Sequence, residues 1–153
     1  MARNVFETLT VLVVDDSSHM RYLLLGLLRA LGVGEVILAN DGDEAWSKYI
    51  LHKPDLVITD AAMAPGDGFA LAKRLRNDDI ATSRHVPIIM ISAHTEISAI
   101  ERAREVGITE FVRKPLVPRA LYERLIAVVN RKYEINPAAL RKVADDQPQV
   151  AFL

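Results

Sequence analysis

Between residues 9 and 133, short runs of Val, Ile and Leu alternate five times with stretches of helical periodicity, and few folds accommodate that alternation. Parallel strands cannot be joined by a tight hairpin, so each crossover carries a helix that must lie on a face of the sheet. The first run, about Thr10 to Asp15, is nearly continuous Val and Leu, as a strand covered on both faces requires. Ser17 or Ser18 caps the helix that follows, in which Met20, Leu23, Leu24, Leu27, Leu28 and Leu31 recur at helical spacing. Gly32 and Gly34 end it, EVILAN forms a second strand, and DGDEAWSKYILHK a second helix stopped before Pro54. PDLVITD is the third strand, MAPGDG a loop, and FALAKRLRNDD a third helix with Asp67 as its cap. HVPIIMIS, TEISAIERAREVG and TEFVRKP continue as strand, helix and strand, and Pro118 opens a last helix running to about Lys132.

Four of these strands stop at residues capable of chemistry. Asp15 and Asp16 follow the first, Asp60 the third, Ser92 the fourth and Lys114 the fifth. In a parallel sheet the carboxyl ends of the strands share one edge, where ligands bind, so residues a hundred positions apart are expected in one cleft. Each residue alone has an ordinary explanation: an acidic pair caps a helix, a serine does the same, and a lysine is usually a solvated surface charge. Together they are complementary. Carboxylates packed this closely repel unless a hard cation sits among them, and Mg²⁺ takes such oxygens together with those of phosphate. The set is suited to phosphoryl chemistry.

Composition narrows the remaining classes. The 153 residues, half of them hydrophobic, suffice for one domain core. Nineteen Lys and Arg against twenty Asp and Glu leave a net charge of -1, with no overall attraction to nucleic acid or an anionic membrane. There is no cysteine, and His19, His52, His85 and His94 lack a close ligand spacing, which argues against zinc. The N-terminal segment 1–8 has no signal-peptide apolar region, and no apolar run approaches membrane-spanning length, so a soluble cytoplasmic protein is expected. Residues 134–153 differ in character and read as a C-terminal extension, in which Asn136-Pro137 can start a short helix over AALRKVA; disorder is the other reading.

The stretches VLVVDDS, LVITD with Met63 and then Asp67-Gly68 beyond it, IIMISA and FVRKP resemble the receiver domain of two-component response regulators, similar to the chemotaxis receiver. The resemblance covers residues 9–133 and implies a flavodoxin-like, doubly wound sheet of five parallel strands in the order 2-1-3-4-5. It implies Asp60 as phosphoacceptor, Asp16 and Asp60 as direct Mg²⁺ ligands, Asp15 acting through a metal-bound water, and the Ala62 carbonyl completing the set. Lys114 would neutralise the incoming phosphoryl group, aided by a cis Lys114-Pro115 bond, and Ser92 would bind a phosphoryl oxygen after transfer. Phe111 matches the aromatic switch, whose ring moves inward with the hydroxyl. The residues that tune phosphoryl lifetime in this family correspond to Ala62 and His94. The chain departs from the family in the loop Asp60-Ala61-Ala62-Met63-Ala64-Pro65, where proline comes one position late.

The expected function is therefore a stand-alone receiver, not an enzyme in its own right, that takes a phosphoryl group from a histidine kinase or histidine phosphotransfer protein. A switched face of helix four, strand five and helix five, bearing Arg102, Arg104, Arg113 and Arg119, would then engage a protein partner. A Mg²⁺-dependent phosphohydrolase with an Asp nucleophile is the alternative. Such enzymes typically carry two acids one residue apart after the first strand and an inserted cap, whereas the acids here are adjacent. A dinucleotide- or flavin-binding protein would need a Gly-rich loop after the first strand, and there is none.

Overall fold

The computed structural model describes residues 4–77 and 83–133. Residues 1–3, the extension 134–153 with its expected helix, and Asp78 and Asp79 at the end of the expected third helix lie outside the described residues. A 3₁₀ turn at Val5–Thr8 precedes β1 (Thr10–Val14), α1 (Ser18–Ala30), β2 (Glu35–Ala39), α2 (Gly42–His52), β3 (Leu56–Asp60), α3 (Gly68–Asn77), β4 (Ile88–Ser92), α4 (Ile97–Glu105), β5 (Glu110–Arg113) and α5 (Pro118–Tyr133). All pairings are parallel, in the order β2-β1-β3-β4-β5. Fold class and strand order agree with the sequence reading.

The pleat divides the core in two. In β1, Val11 and Val13 point to one face and pack with Leu24 and Leu28 of α1 and Leu121, Leu125 and Val129 of α5. Leu12 and Val14 point to the other and meet Trp46 and Tyr49 of α2 and Leu71, Ala72 and Leu75 of α3. β3 and β4 are buried along their whole length, which is why their sequences do not alternate. No described helix is long and apolar enough to cross a membrane.

Ser17 and Asp67 cap as expected from sequence, and Asp41 caps α2 in the same way. Ser17 accepts the Met20 N–H, Asp41 the Glu44 N–H, and Asp67 the Ala70 N–H. Gly107 closes α4 at φ +86°, a conformation other residues adopt only with strain. Two details differ. The apolar stripe of α1 is wider than its buried arc: Leu24, Leu28 and Leu31 are buried, Met20 and Leu27 partly so, and Leu23 faces solvent. The turn at Val5–Thr8 has no strong sequence signal; the Asn4 side chain organises it, accepting the Phe6 N–H and donating to the Leu31 carbonyl, so that Phe6 is fully buried.

Candidate phosphoryl-transfer site

Parallel register brings the strand ends level. Val14 lies beside Thr59, Asp60 beside Ile91 and Ser92 beside Arg113, so Asp15, Asp60, Ser92 and Lys114 emerge along one edge. Backbone bonds from Asp15 N–H to the Ala39 carbonyl and from Lys114 N–H to the Ser92 carbonyl extend the ladder to the site itself. Asp15 and Asp60 are buried, Asp16 is exposed, and a carboxylate oxygen from each lies within 4.8 Å of the others. The Lys114 ammonium donates to Asp60 Oδ1 at 2.9 Å. Both Lys114-Pro115 and Ala64-Pro65 are cis.

These charges are held in place by backbone. Asp15 Oδ1 accepts the Ser17 N–H at 2.9 Å, and Asp16 Oδ2 accepts the Ala64 N–H at 3.4 Å, which ties the first acidic loop to the loop after β3. Burial pushes the Asp15 carboxyl above the ordinary carboxylate range; the Ser17 amide opposes this, the Asp60 charge adds to it, Lys114 opposes it, and Asp16 adds to it again. Three carboxylates gathered this closely, with no thiolate or imidazole among them, suit a hard cation. The donor set fits Mg²⁺.

Ser92 is buried, and its hydroxyl donates to the His94 carbonyl at 3.1 Å while accepting the His94 N–H at 3.0 Å. The hydroxyl thus folds the turn between β4 and α4 around itself. Phe111 is half-buried and packs against the cluster of Ala61, Phe69, Met90 and Ala103. Ala62 is exposed on the loop after β3. His94 is exposed, 3.5 Å from Glu96, and lines a cleft with Ala61, Ala62, Phe69, Ser92 and Arg102.

One expectation changes here. Arg102 does not simply add to a solvated basic face on α4, because its guanidinium lies 4.1 Å over the Phe69 ring and 3.5 Å from Asp67, both at the start of α3. Sequence reading also missed Arg21, which donates to the Asp15 carbonyl at 2.7 Å, and Gly68. A Cβ at Gly68 would sit 2.2 Å from the Asp60 carbonyl oxygen, so only glycine lets α3 begin this close to Asp60. The Asp67-Gly68 pair after LVITD was the available signal.

A family model described as the response regulator receiver domain matches residues 11–126. The chain is 36% identical over 120 residues to chemotaxis protein CheY1 of Helicobacter pylori, covering 78% of this chain and 95% of that one. It is 34% identical over 122 residues to the phosphate regulon transcriptional regulatory protein PhoB of Pseudomonas aeruginosa, covering 80% of this chain but only 52% of that one. The chain therefore spans about half the length of some curated relatives and nearly all of others. Among solved structures, CheY4 of Vibrio cholerae superimposes with a TM-score of 0.73 at 32% identity, covering 78% of this chain and 98% of that one. The CheX-CheY-BeF3-Mg complex from Borrelia burgdorferi gives 0.72 at 29%, covering 78% and 88%.

Proposed function

Because this chain belongs to the response regulator receiver family and is a phosphoacceptor domain of two-component signalling, we propose that Asp60 is the residue that carries the phosphoryl group. The observation that supports this is the arrangement around Asp60: Lys114 at 2.9 Å on one side, and Asp15 and Asp16 within 4.8 Å on the other. Transfer from a phosphohistidine forms a bond from an Asp60 carboxylate oxygen to phosphorus and breaks the P–N bond. The electron pair returns to the imidazole of the donor. Both partners are anionic, so the reaction needs positive charge near the phosphoryl oxygens. Lys114 supplies one such charge, already oriented by its bond to Asp60. Mg²⁺ would supply the other when bound, held by the carboxylates of Asp16 and Asp60 and the carbonyl of Ala62, with Asp15 acting through a metal-bound water.

Ser92 offers its hydroxyl to a phosphoryl oxygen after transfer, at the cost of its present bond to the His94 carbonyl. That exchange releases the turn before α4, and Phe111 then moves inward. The face of α4, β5 and α5 is the surface through which we expect a downstream protein to sense the change. His94 and Ala62 line one cleft together with Ser92, and His94 is the side chain we assign to assisting hydrolysis there.

The phosphohydrolase alternative has no support from the family or from the adjacent placement of Asp15 and Asp16. Incubation with acetyl phosphate and Mg²⁺ separates the two by stoichiometry. The receiver reading predicts uptake of one acyl phosphate per chain with slow turnover. Rapid catalytic release of phosphate without a labelled protein would overturn it.

A further inference from the structure

α4 is lightly attached. It buries only Ala103, its first turn exposes Ile97 and partly Ile100, and its N-cap residue Glu96 makes no side-chain capping bond. Its C-terminal end is pinned, because Arg76 donates from Nε and Nη2 to the Gly107 carbonyl and from Nη1 to the Ser83 carbonyl. Two further contacts hold the helix and the turn that enters it. One is the pair of bonds between the Ser92 hydroxyl and the backbone of His94. The other is the Arg102 side chain, stacked at 4.1 Å on Phe69 and paired at 3.5 Å with Asp67 Oδ2.

Phe69 and Asp67 form a rigid anchor. Phe69 is largely buried, and Asp67 Oδ1 is committed to the Ala70 N–H, leaving Oδ2 for Arg102. Gly68 between them donates its N–H to the Ala61 carbonyl, and any side chain there would strike the Asp60 carbonyl oxygen. Arg102 therefore fastens α4 to a segment that cannot move independently of the phosphoacceptor.

Resting on the reading that Asp60 is phosphorylated, we propose that Arg102 is a positioning residue that holds α4 in its unphosphorylated place and so sets how readily the domain switches. A phosphoryl group on Asp60 competes for the Ser92 hydroxyl and removes the first restraint. Arg102, in the last turn of α4, then remains as the side chain of the helix itself that ties it to the start of α3, alongside the Arg76 bonds just beyond its end. A planar guanidinium over an aromatic ring, joined to a carboxylate, has two discrete states, engaged and released, as a latch requires. Removing it raises the population of the switched conformation before phosphorylation, and any phosphoryl mimic that prefers that conformation binds more tightly.

The test uses Arg102→Ala and Arg102→Lys in the full chain; the side chain is more than half exposed, so neither substitution threatens the core. Two quantities are measured: amide hydrogen exchange along α4 in the free protein, and the apparent affinity for beryllium fluoride with Mg²⁺. Arg102→Ala is expected to speed exchange in α4 selectively and to tighten beryllium fluoride binding about fivefold, the scale of an exposed cation–π contact plus an exposed ion pair. Arg102→Lys keeps the charge but not the planar stack and is expected to fall between. Unchanged α4 exchange overturns the latch. Faster exchange with unchanged or weaker binding overturns its role in switching, because it leaves Arg102 merely structural. A wild-type protein that takes up no beryllium fluoride overturns the phosphoacceptor reading, and with it this inference.

Discussion

Replacing Asp15 by Asn should stabilise the metal-free protein at neutral pH, and the structure gives the size. Asp15 is 2% exposed, and its carboxylate lies within 4.8 Å of that of Asp60. Burial is the largest effect against the charged form, and the Asp60 charge adds to it: two unit charges at that distance repel by about 3.5 kcal/mol in an effective dielectric of about 20. Asp16 adds less, because it faces water. The Ser17 amide and the Lys114 charge oppose these terms, and asparagine keeps an oxygen for the Ser17 N–H. The cancellation leaves a net gain of about 1 kcal/mol, or about 4 °C in Tm for a domain of this size. Its pH dependence follows from the direction of the shift. A carboxyl raised above its unfolded value stabilises the fold below that value, 3.8, and loses the contribution as pH rises through the folded one. The advantage of Asp15→Asn should therefore vanish in acid, grow as pH rises above 3.8, and level off once Asp15 is ionised in both states. Thermal denaturation from about pH 3 to about pH 8, with EDTA, measures it. A variant less stable than wild type at neutral pH, or a difference that does not change with pH, would refute the claim that burial and repulsion together destabilise the Asp15 carboxylate.

Adding Mg²⁺ should reverse the order, since wild type gains the binding free energy: a concentration ten times Kd contributes about 1.4 kcal/mol, and Asp16→Ala should gain much less in the same melts. Gly68→Ala should cost about 1–3 kcal/mol in denaturant unfolding, because its Cβ would sit 2.2 Å from the Asp60 carbonyl oxygen. Ser92→Ala should still accept phosphate from acetyl phosphate but lose the change in α4 hydrogen exchange that follows, and an unaltered exchange response would remove Ser92 from the switch. His94→Ala should lengthen the lifetime of the acyl phosphate in a single-turnover decay, whereas equal decay rates leave His94 as a surface residue of the turn.

What was legible in the sequence follows from what is periodic or local. The site edge came from apolar runs that end in Asp15, Asp60, Ser92 and Lys114, because parallel register forces such ends together, whereas the strand order came from the resemblance to receiver domains. Caps at Ser17 and Asp67 are contacts within one turn and could be read along the chain. Contacts between elements that no periodicity controls were not legible. Arg102 on Phe69 and Arg76 on Gly107 join distant turns through long side chains, and nothing in the spacing distinguishes these arginines from solvated ones. Leu23 shows the converse: it shares the stripe of its neighbours, but the arc of α1 that meets the sheet is narrower than the stripe.

The central claim is that Asp60 receives the phosphoryl group. The most direct measurement is labelling of wild type and Asp60→Asn by acetyl phosphate with Mg²⁺, followed by intact mass and by the stability of the label to acid, base and hydroxylamine. The account predicts one phosphoryl group per wild-type chain, stable to acid and lost to base or hydroxylamine as an acyl phosphate is, and none on Asp60→Asn. Stoichiometric labelling of Asp60→Asn with the same lability would contradict it.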